Sequence, residues 1–312
     1  LAIVKGGLPV KVLVSGSTGL IGSALVYHLK RNGHEPIRLV RHHGHFDEPQ
    51  ITWNIEKGQL NPKDLEGIDA VVHLAGHNIA AGRWTEAAKK KIRESRVQGT
   101  RLLSETLAQM EKPPETLVCA SAIGYYGDRG QEWLTEVSGL GKGFLPQVCR
   151  EWEAACQPAR DKGIRVVNTR FGIVLSPEGG ALKAMLLPFR LGLAGNLGNG
   201  KQYMSWIALD DVVGGILHVL THPKIRGPVN FTTPHPVTNA DFTTAMRHVL
   251  YPSFLPMHYW TPPAPALAVK LALGEMGEAL LLSSERVQPT VLLEAGYPFN
   301  YPELEPALRS ML

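Results

Sequence analysis

Short apolar runs alternate with amphipathic stretches along the chain. Val12, Leu13 and Val14 suit a strand buried on both faces, and Leu20 to Lys30 has the apolar spacing of a helix. Gly33 closes that helix, and Glu35 to Val40, Ile68 to Leu74 and Val166 to Thr169 read as further strands. Between them the spacing predicts one long helix over Thr85 to Met110 and another over Gly143 to Arg160. Buried strands alternating with helices imply an α/β fold, a doubly wound parallel sheet, here with a smaller C-terminal lobe.

The junction between the first strand and the first helix carries chemistry. Gly16 permits a tight turn, Gly19 lets phosphates approach the backbone, and Gly22 allows the helix to pack closely. The unpaired amides at the helix start attract an anion, so Ser17, Thr18, Leu20 and Ile21 join the three glycines as candidate dinucleotide contacts. A Rossmann-like cofactor domain is therefore expected over residues 9–174. Residues 175–312 would form mainly a substrate lobe, with parts near 205–232 returning to the first domain.

The second strand ends in Arg41, where an acidic residue would normally hold the ribose hydroxyls of NAD. A guanidinium there can bind a 2′-phosphate, which points to NADP(H); the plain alternative is a solvated surface Arg. Arg38 lies on the opposite side of a strand from Arg41. His42, His43 and His45 lack carboxylate or thiolate partners for a metal cage, so no metal is expected; their charge would add beside the 2′-phosphate at lower pH. Leu74, Ala75 and Gly76 end a strand where a cofactor lies in open α/β sheets. Arg96, on the core-facing side of the long helix, needs an anionic partner, either the cofactor or a surface carboxylate.

Composition narrows the partner. The 312 residues carry 32 basic and 28 acidic groups, net +4, with no basic run that suggests nucleic acid. An anionic small molecule fits better. Cys119, Cys149 and Cys156 lack metal spacing and read as reduced buried thiols, implying a cytoplasmic setting. No apolar stretch is long enough to span a bilayer, and Leu1 to Val10 does not resemble a signal sequence; the initial Leu suggests a processed or truncated start.

Several segments together resemble the short-chain dehydrogenase/reductase superfamily in its extended, epimerase-like form. They are the turn Gly16 to Gly22, His73-Leu-Ala-Gly76, Arg96-Val-Gln-Gly-Thr100, Ala120 to Gly127, Arg170-Phe-Gly172 and Trp206 to Asp211. Gly82-Arg-Trp-Thr85, Tyr125-Tyr-Gly-Asp128, Leu187 to Leu193 and Gln288-Pro289 with Gly296-Tyr297 are similar to an atypical subgroup, the epimerase family proteins, some of which have been labelled cell-division inhibitors. Two positions depart from that subgroup: His77 stands in place of a Glu, and Ala208 in place of a His.

The resemblance implies a catalytic Tyr with a Lys four residues later, yet no Tyr here has one. The resemblance, aligned on Glu153, puts Leu145 at the Tyr position and Cys149 at the Lys position; counted back from Tyr126-Gly127, it puts Ala122 at that of the catalytic Ser or Thr. Ser121, Tyr125 and Tyr126 are the remaining candidates for moving a proton. Tyr needs a nearby cation to act as a base, with Arg129, Arg150 and Lys142 as sources; alternatively both Tyr residues only shape the pocket.

Farther on, Ala181 to Arg190 reads as a helix and the glycine-rich stretch from Leu191 to Gly200 as a loop over the cleft. Arg190, Lys201, Gln202, Tyr203 and Trp206 offer cations and aromatic faces for a small polar substrate. Asp210 and Asp211 have a simple role as helix caps, and Leu267 to Leu282 reads as a packed helix. The expected activity is that of an NADP(H)-dependent oxidoreductase or sugar-nucleotide epimerase-like enzyme, monomeric or homodimeric. A non-catalytic NADP(H)-binding or redox-sensing protein is the alternative.

Overall fold

A computed structural model describes residues 9–312; the expectation about the initial Leu falls outside them. One seven-stranded sheet organises the fold. Its strands are β1 (Lys11–Ser15), β2 (Glu35–Val40), β3 (Gln50–Thr52), β4 (Ala70–His73), β5 (Thr116–Ala122), Arg165–Phe171 and Gly227–Phe231. From one edge the order is Gly227–Phe231, Arg165–Phe171, β5, β4, β1, β2, β3. Every pairing is parallel. The chain builds outward from β1 through β2 to β3, then crosses back to place β4 on the other side of β1. That reversal opens a crevice at the C-terminal ends of β1 and β4, where ligands bind in sheets of this topology.

Alternate residues of β1 enter different cores, as the pleat requires. Val12 and Val14 pack with Leu25 and Leu29 of α1 (Leu20–Arg31) and with Val212 and Ile216 of the helix Leu209–Thr221. Leu13 faces Leu103 and Leu107 of α2 (Glu86–Gln109) and Trp152 of α3 (Phe144–Ala154). The predicted helix over Gly143 to Arg160 is divided. It stops at Ala154 and restarts as Gln157–Asp161, with Pro158 in the new first turn, where a missing N–H costs nothing.

A separate core lies beyond the sheet, built from Leu175, Leu182, Phe189, Trp206, Phe242, Met246 and Leu308. Trp206 is fully buried there, so its ring is packing and not an open substrate face. Asp211 does not cap its helix, since Ala208 holds the N-cap position. Its carboxylate instead accepts from the backbone amides of Asn300 and Tyr301 at 2.7 and 2.9 Å, and from the Tyr297 hydroxyl at 3.2 Å. The expected helix over Leu267 to Leu282 breaks at Gly274, whose φ of 63° lies in the left-handed region. Its first part, Ala266–Leu273, buries only Val269. No helix among the described residues is long and apolar enough to cross a membrane.

Candidate cofactor crevice and active site

The turn between β1 and α1 is built so tightly that side chains have no room. A Cβ on Gly16 would stand 2.7 Å from the Leu74 carbonyl carbon, and one on Gly22 would stand 2.2 Å from the Gly16 oxygen. Gly16 also has φ 65°, a backbone conformation that L-residues rarely adopt. Gly19 is the N-cap of α1, with no side-chain cap and no acid in the first turn, so the opening amides of the helix remain free for an anion. Thr18, Leu20 and Ile21 continue this loop into the helix. The Ser17 hydroxyl is buried beside them and has no hydrogen-bond partner. A bare backbone cradle, free amides and an orphaned hydroxyl fit a diphosphate.

Buried polar groups fix the opposite wall. The amides of Leu74 and Ala75 donate to Ser15 Oγ at 3.1 and 3.3 Å, which leaves the Ser15 hydroxyl proton for His73 Nδ1 at 2.6 Å. His73 Nε2 then donates to Thr100 Oγ1 at 3.0 Å, which also accepts from the Trp152 indole at 2.9 Å. Burial pushes the His73 pKa down to about 4, so the ring is neutral, accepting at Nδ1 and donating at Nε2.

Two arginines flank the turn differently. Arg38, buried, donates to the Ser17 carbonyl and to Glu48, each at 2.8 Å, and lies 4.4 Å from the Phe46 ring centre. It braces the turn, and its charge is matched. Arg41 is exposed and has no hydrogen bond or ion pair among the described residues. Arg96 donates to the carbonyls of His77 and Ile92 at 3.0 and 3.1 Å, and its guanidinium lies against Gly76 at the crevice. It has no carboxylate partner among the described residues.

Ala122, Leu145 and Cys149 converge beyond β5. Leu145 packs against Gly124, 3.4 Å from where a Cβ there would stand, and the Cys149 thiol meets the Ala122 backbone. Burial, with Glu153 and Glu285 adding to it, pushes that thiol up to about 12, so it is neither base nor nucleophile at neutral pH.

Two of the three candidate proton carriers, Ser121 and Tyr126, have their hydroxyls bonded within the protein, and Tyr125 holds its ring against a cation. Ser121 donates to Glu153 at 2.7 Å, and Arg170 grips the same carboxylate with two bonds at 2.8 and 2.9 Å. Tyr126 is fully buried; it donates to Asn230 at 2.7 Å and accepts from Arg170 at 2.9 Å. Burial outweighs that cation and pushes the Tyr126 phenol up to about 12. The half-buried Tyr125 lies with its ring 3.6 Å from the Arg170 guanidinium and packs toward Val287. The cation beside both tyrosines is therefore Arg170, not Arg129, Arg150 or Lys142. Arg129 pairs with Glu132 at 2.5 Å.

A cleft of about 700 Å³ opens beside this cluster. Gly124, Asp128, Lys142, Leu145, Lys201, Gln202, Lys270 and Glu285 are among the residues that line it. Lys201 and Gln202 thus reach the cleft, although the Gln202 amide is committed to the carbonyls of Leu197 and Leu281. Tyr125, Tyr126, Ser121, Arg190 and Trp206 do not line it. Arg190 is exposed at the end of the helix Gly180–Arg190.

Comparison with known proteins matches this architecture. The model of the NAD dependent epimerase/dehydratase family covers residues 12–231, and a domain of unknown function, DUF1731, covers residues 264–311. The chain belongs to the NAD dependent epimerase/dehydratase family. An epimerase family protein of Mycobacterium bovis is 43% identical, over 95% of this chain and 96% of its own length. Human epimerase family protein SDR39U1 (isoform 2), solved with NADPH, superposes with TM-score 0.86 at 34% identity, covering 96% of this chain and 98% of that one. A nucleoside-diphosphate sugar epimerase of Corynebacterium glutamicum gives TM-score 0.79 at 35% identity, over 98% of this chain and 58% of that one. Within this family frame, Glu285 and Asp128 are two of the cleft residues that sequence reasoning did not nominate for a role, Asp128 entering only as the end of Tyr125-Tyr-Gly-Asp128. Neither sits in a motif with a catalytic signature; only the fold brings them to one cleft.

Proposed function

We propose that this chain binds NADP(H) across the crevice and exchanges a hydride with a carbonyl or carbinol carbon of a small polar substrate in the adjoining cleft. The observation that carries it is the glycine turn, whose free α1 amides and orphaned Ser17 hydroxyl fit a diphosphate. When bound, the nicotinamide supplies the hydride. In this reading the Gly16–Gly22 backbone holds the diphosphate, the unpaired Arg41 holds the 2′-phosphate, and Arg96 supplies positive charge beside Gly76. Leu74 and Ala75, fixed by Ser15, border the adenosine half. Lys142 and Lys201 offer cations to an anionic substrate, and Gln202 shapes the wall between them. The NADPH in the human relative supports the choice of cofactor.

Titration with NADPH and NADH tests the reading. NADPH is expected to bind at least about tenfold more tightly, and Arg41→Ala to remove most of that preference by deleting a charged hydrogen-bond donor. Equal affinities, or preference for NADH, would count against the role given to Arg41.

A second reading, NADP(H) binding without turnover, is favoured by one observation: Ala122, Leu145 and Cys149 occupy the places of the usual catalytic groups. Single-turnover oxidation of bound NADPH separates the two.

A further inference from the structure

The cleft needs a proton carrier, and none of the hydroxyls nominated from sequence lines it. Glu285 does. Its backbone is pinned from two sides: its amide donates to the Tyr203 carbonyl at 3.2 Å, and its carbonyl accepts from Ser205 Oγ at 2.7 Å. The preceding residue, Ser284, bonds through its amide to Asp128 at 3.3 Å and through its hydroxyl to the Gly130 carbonyl at 2.5 Å. The Glu285 carboxyl itself has no hydrogen bond or ion pair among the described residues. It shares the cleft with Leu145, the residue at the place of the usual catalytic Tyr.

We infer that Glu285 is the general acid of this site, a carboxylic acid held on a rigid cleft wall in place of the missing tyrosine. This rests on the hydride-transfer reading above. In the reducing direction the carbonyl carbon takes a hydride from NADPH while its oxygen takes the Glu285 proton. The products are a carbinol, NADP⁺ and the Glu285 carboxylate, which regains its proton from solvent. In the oxidising direction the carboxylate accepts the carbinol proton.

The electrostatics agree with the geometry. Burial, and then the neighbouring Asp128 carboxylate, push the Glu285 carboxyl up to about 8, so the acid form is abundant at neutral pH. Lys270 pairs with Glu278 at 2.7 Å, and Glu275 with Lys89 at 2.5 Å, so these four charges are matched locally. Lys142 and Lys201 have no such partner among the described residues and line the open cleft. Cys149, behind Leu145, stays protonated across this range. Rising pH through about 8 removes the acid form, so reduction slows above that value.

The test begins without turnover. Carboxyl ¹³C NMR of Glu-labelled protein, with and without NADP⁺, should show one carboxyl titrating near 8, absent in Glu285→Gln and shifted down in Asp128→Asn. Then single-turnover oxidation of bound NADPH is followed with 4-nitrobenzaldehyde, glyceraldehyde and a UDP-4-ketohexose. Glu285→Gln should lower the rate about 100-fold or more with NADPH affinity unchanged, while Tyr125→Phe should keep it. An ordinary titration of Glu285, or a Glu285→Gln rate equal to that of the parent, overturns the assignment alone. Loss of rate in Tyr125→Phe in place of Glu285→Gln transfers the role to Tyr125. No oxidation of NADPH by any probe in the parent protein overturns the hydride reading, and the acid role with it.

Discussion

Gly22 shows how one missing side chain sets the position of a helix. A Cβ there would overlap the Gly16 carbonyl at 2.2 Å, and backbone cannot give way as a flexible side chain can. α1 would have to slide off the turn, taking its free amides with it. Gly22→Ala is therefore expected to lose NADPH binding, read by the fluorescence of the bound dinucleotide, and to cost about 3 kcal/mol of stability in urea unfolding. Gly67→Ala is the useful contrast. Gly67 also has positive φ, at 79°, but no atom within 4 Å of its Cβ position, so its cost is about 1 kcal/mol and NADPH binding stays intact. A Gly22→Ala protein that binds NADPH normally would show that the close approach is not needed.

At the scale of elements, one ion pair ties α3 to the strand Arg165–Phe171, which is already laddered to β5. Arg170 and Glu153 are 3% and 13% exposed at their side chains, and the pair reaches outward to Ser121, Tyr126 and, through Tyr126, Asn230. Glu153→Gln leaves the Arg170 charge buried without its counterion. Breaking such a pair costs about 3 to 5 kcal/mol, so the melting temperature should fall by several degrees, with Ser121→Ala far milder. A melting temperature unchanged in Glu153→Gln would mean that the pair does not bind these elements together.

The same elements show what the chain made legible. β1, α1 and the turn between them could be read because their signals are local: an apolar run, three glycines and an amphipathic helix within about twenty residues. Leu145 and Cys149 were singled out by the spacing from Glu153 and Ala122 by the spacing from Tyr126-Gly127. The place of Trp206 was not legible, since an aromatic residue among polar neighbours looks the same whether it lines a cleft or fills a core. Its burial is decided by Phe242 and Leu308, which arrive from elsewhere in the chain. Nor could Glu285 be found, because its neighbour Asp128 is more than a hundred residues away, and the two meet only through the bonds of Ser284 to Asp128 and Gly130 and the pairing of Arg286–Val287 with Trp133–Leu134.

On the scale of the whole molecule, Asp211 fastens the C-terminal segment to the sheet. The helix Leu209–Thr221 packs on the same face as α1, and its wholly buried carboxylate receives the amides of Asn300 and Tyr301 and the hydroxyl of Tyr297. From there the chain enters the helix Leu304–Met311, whose Leu304, Ala307 and Leu308 belong to the second core. One carboxylate thus ties the helix under the dinucleotide sheet to the segment that completes the core beyond it. Asp211→Ala would leave several buried donors unpaired, at a cost of about 3 kcal/mol or more. Because those donors lie in residues 297–301, hydrogen exchange should quicken first across 297–311 and only later in β1 and β4. Uniform quickening through the sheet would mean that the sheet and the core beyond it unfold as one unit and that Asp211 is not a local fastening.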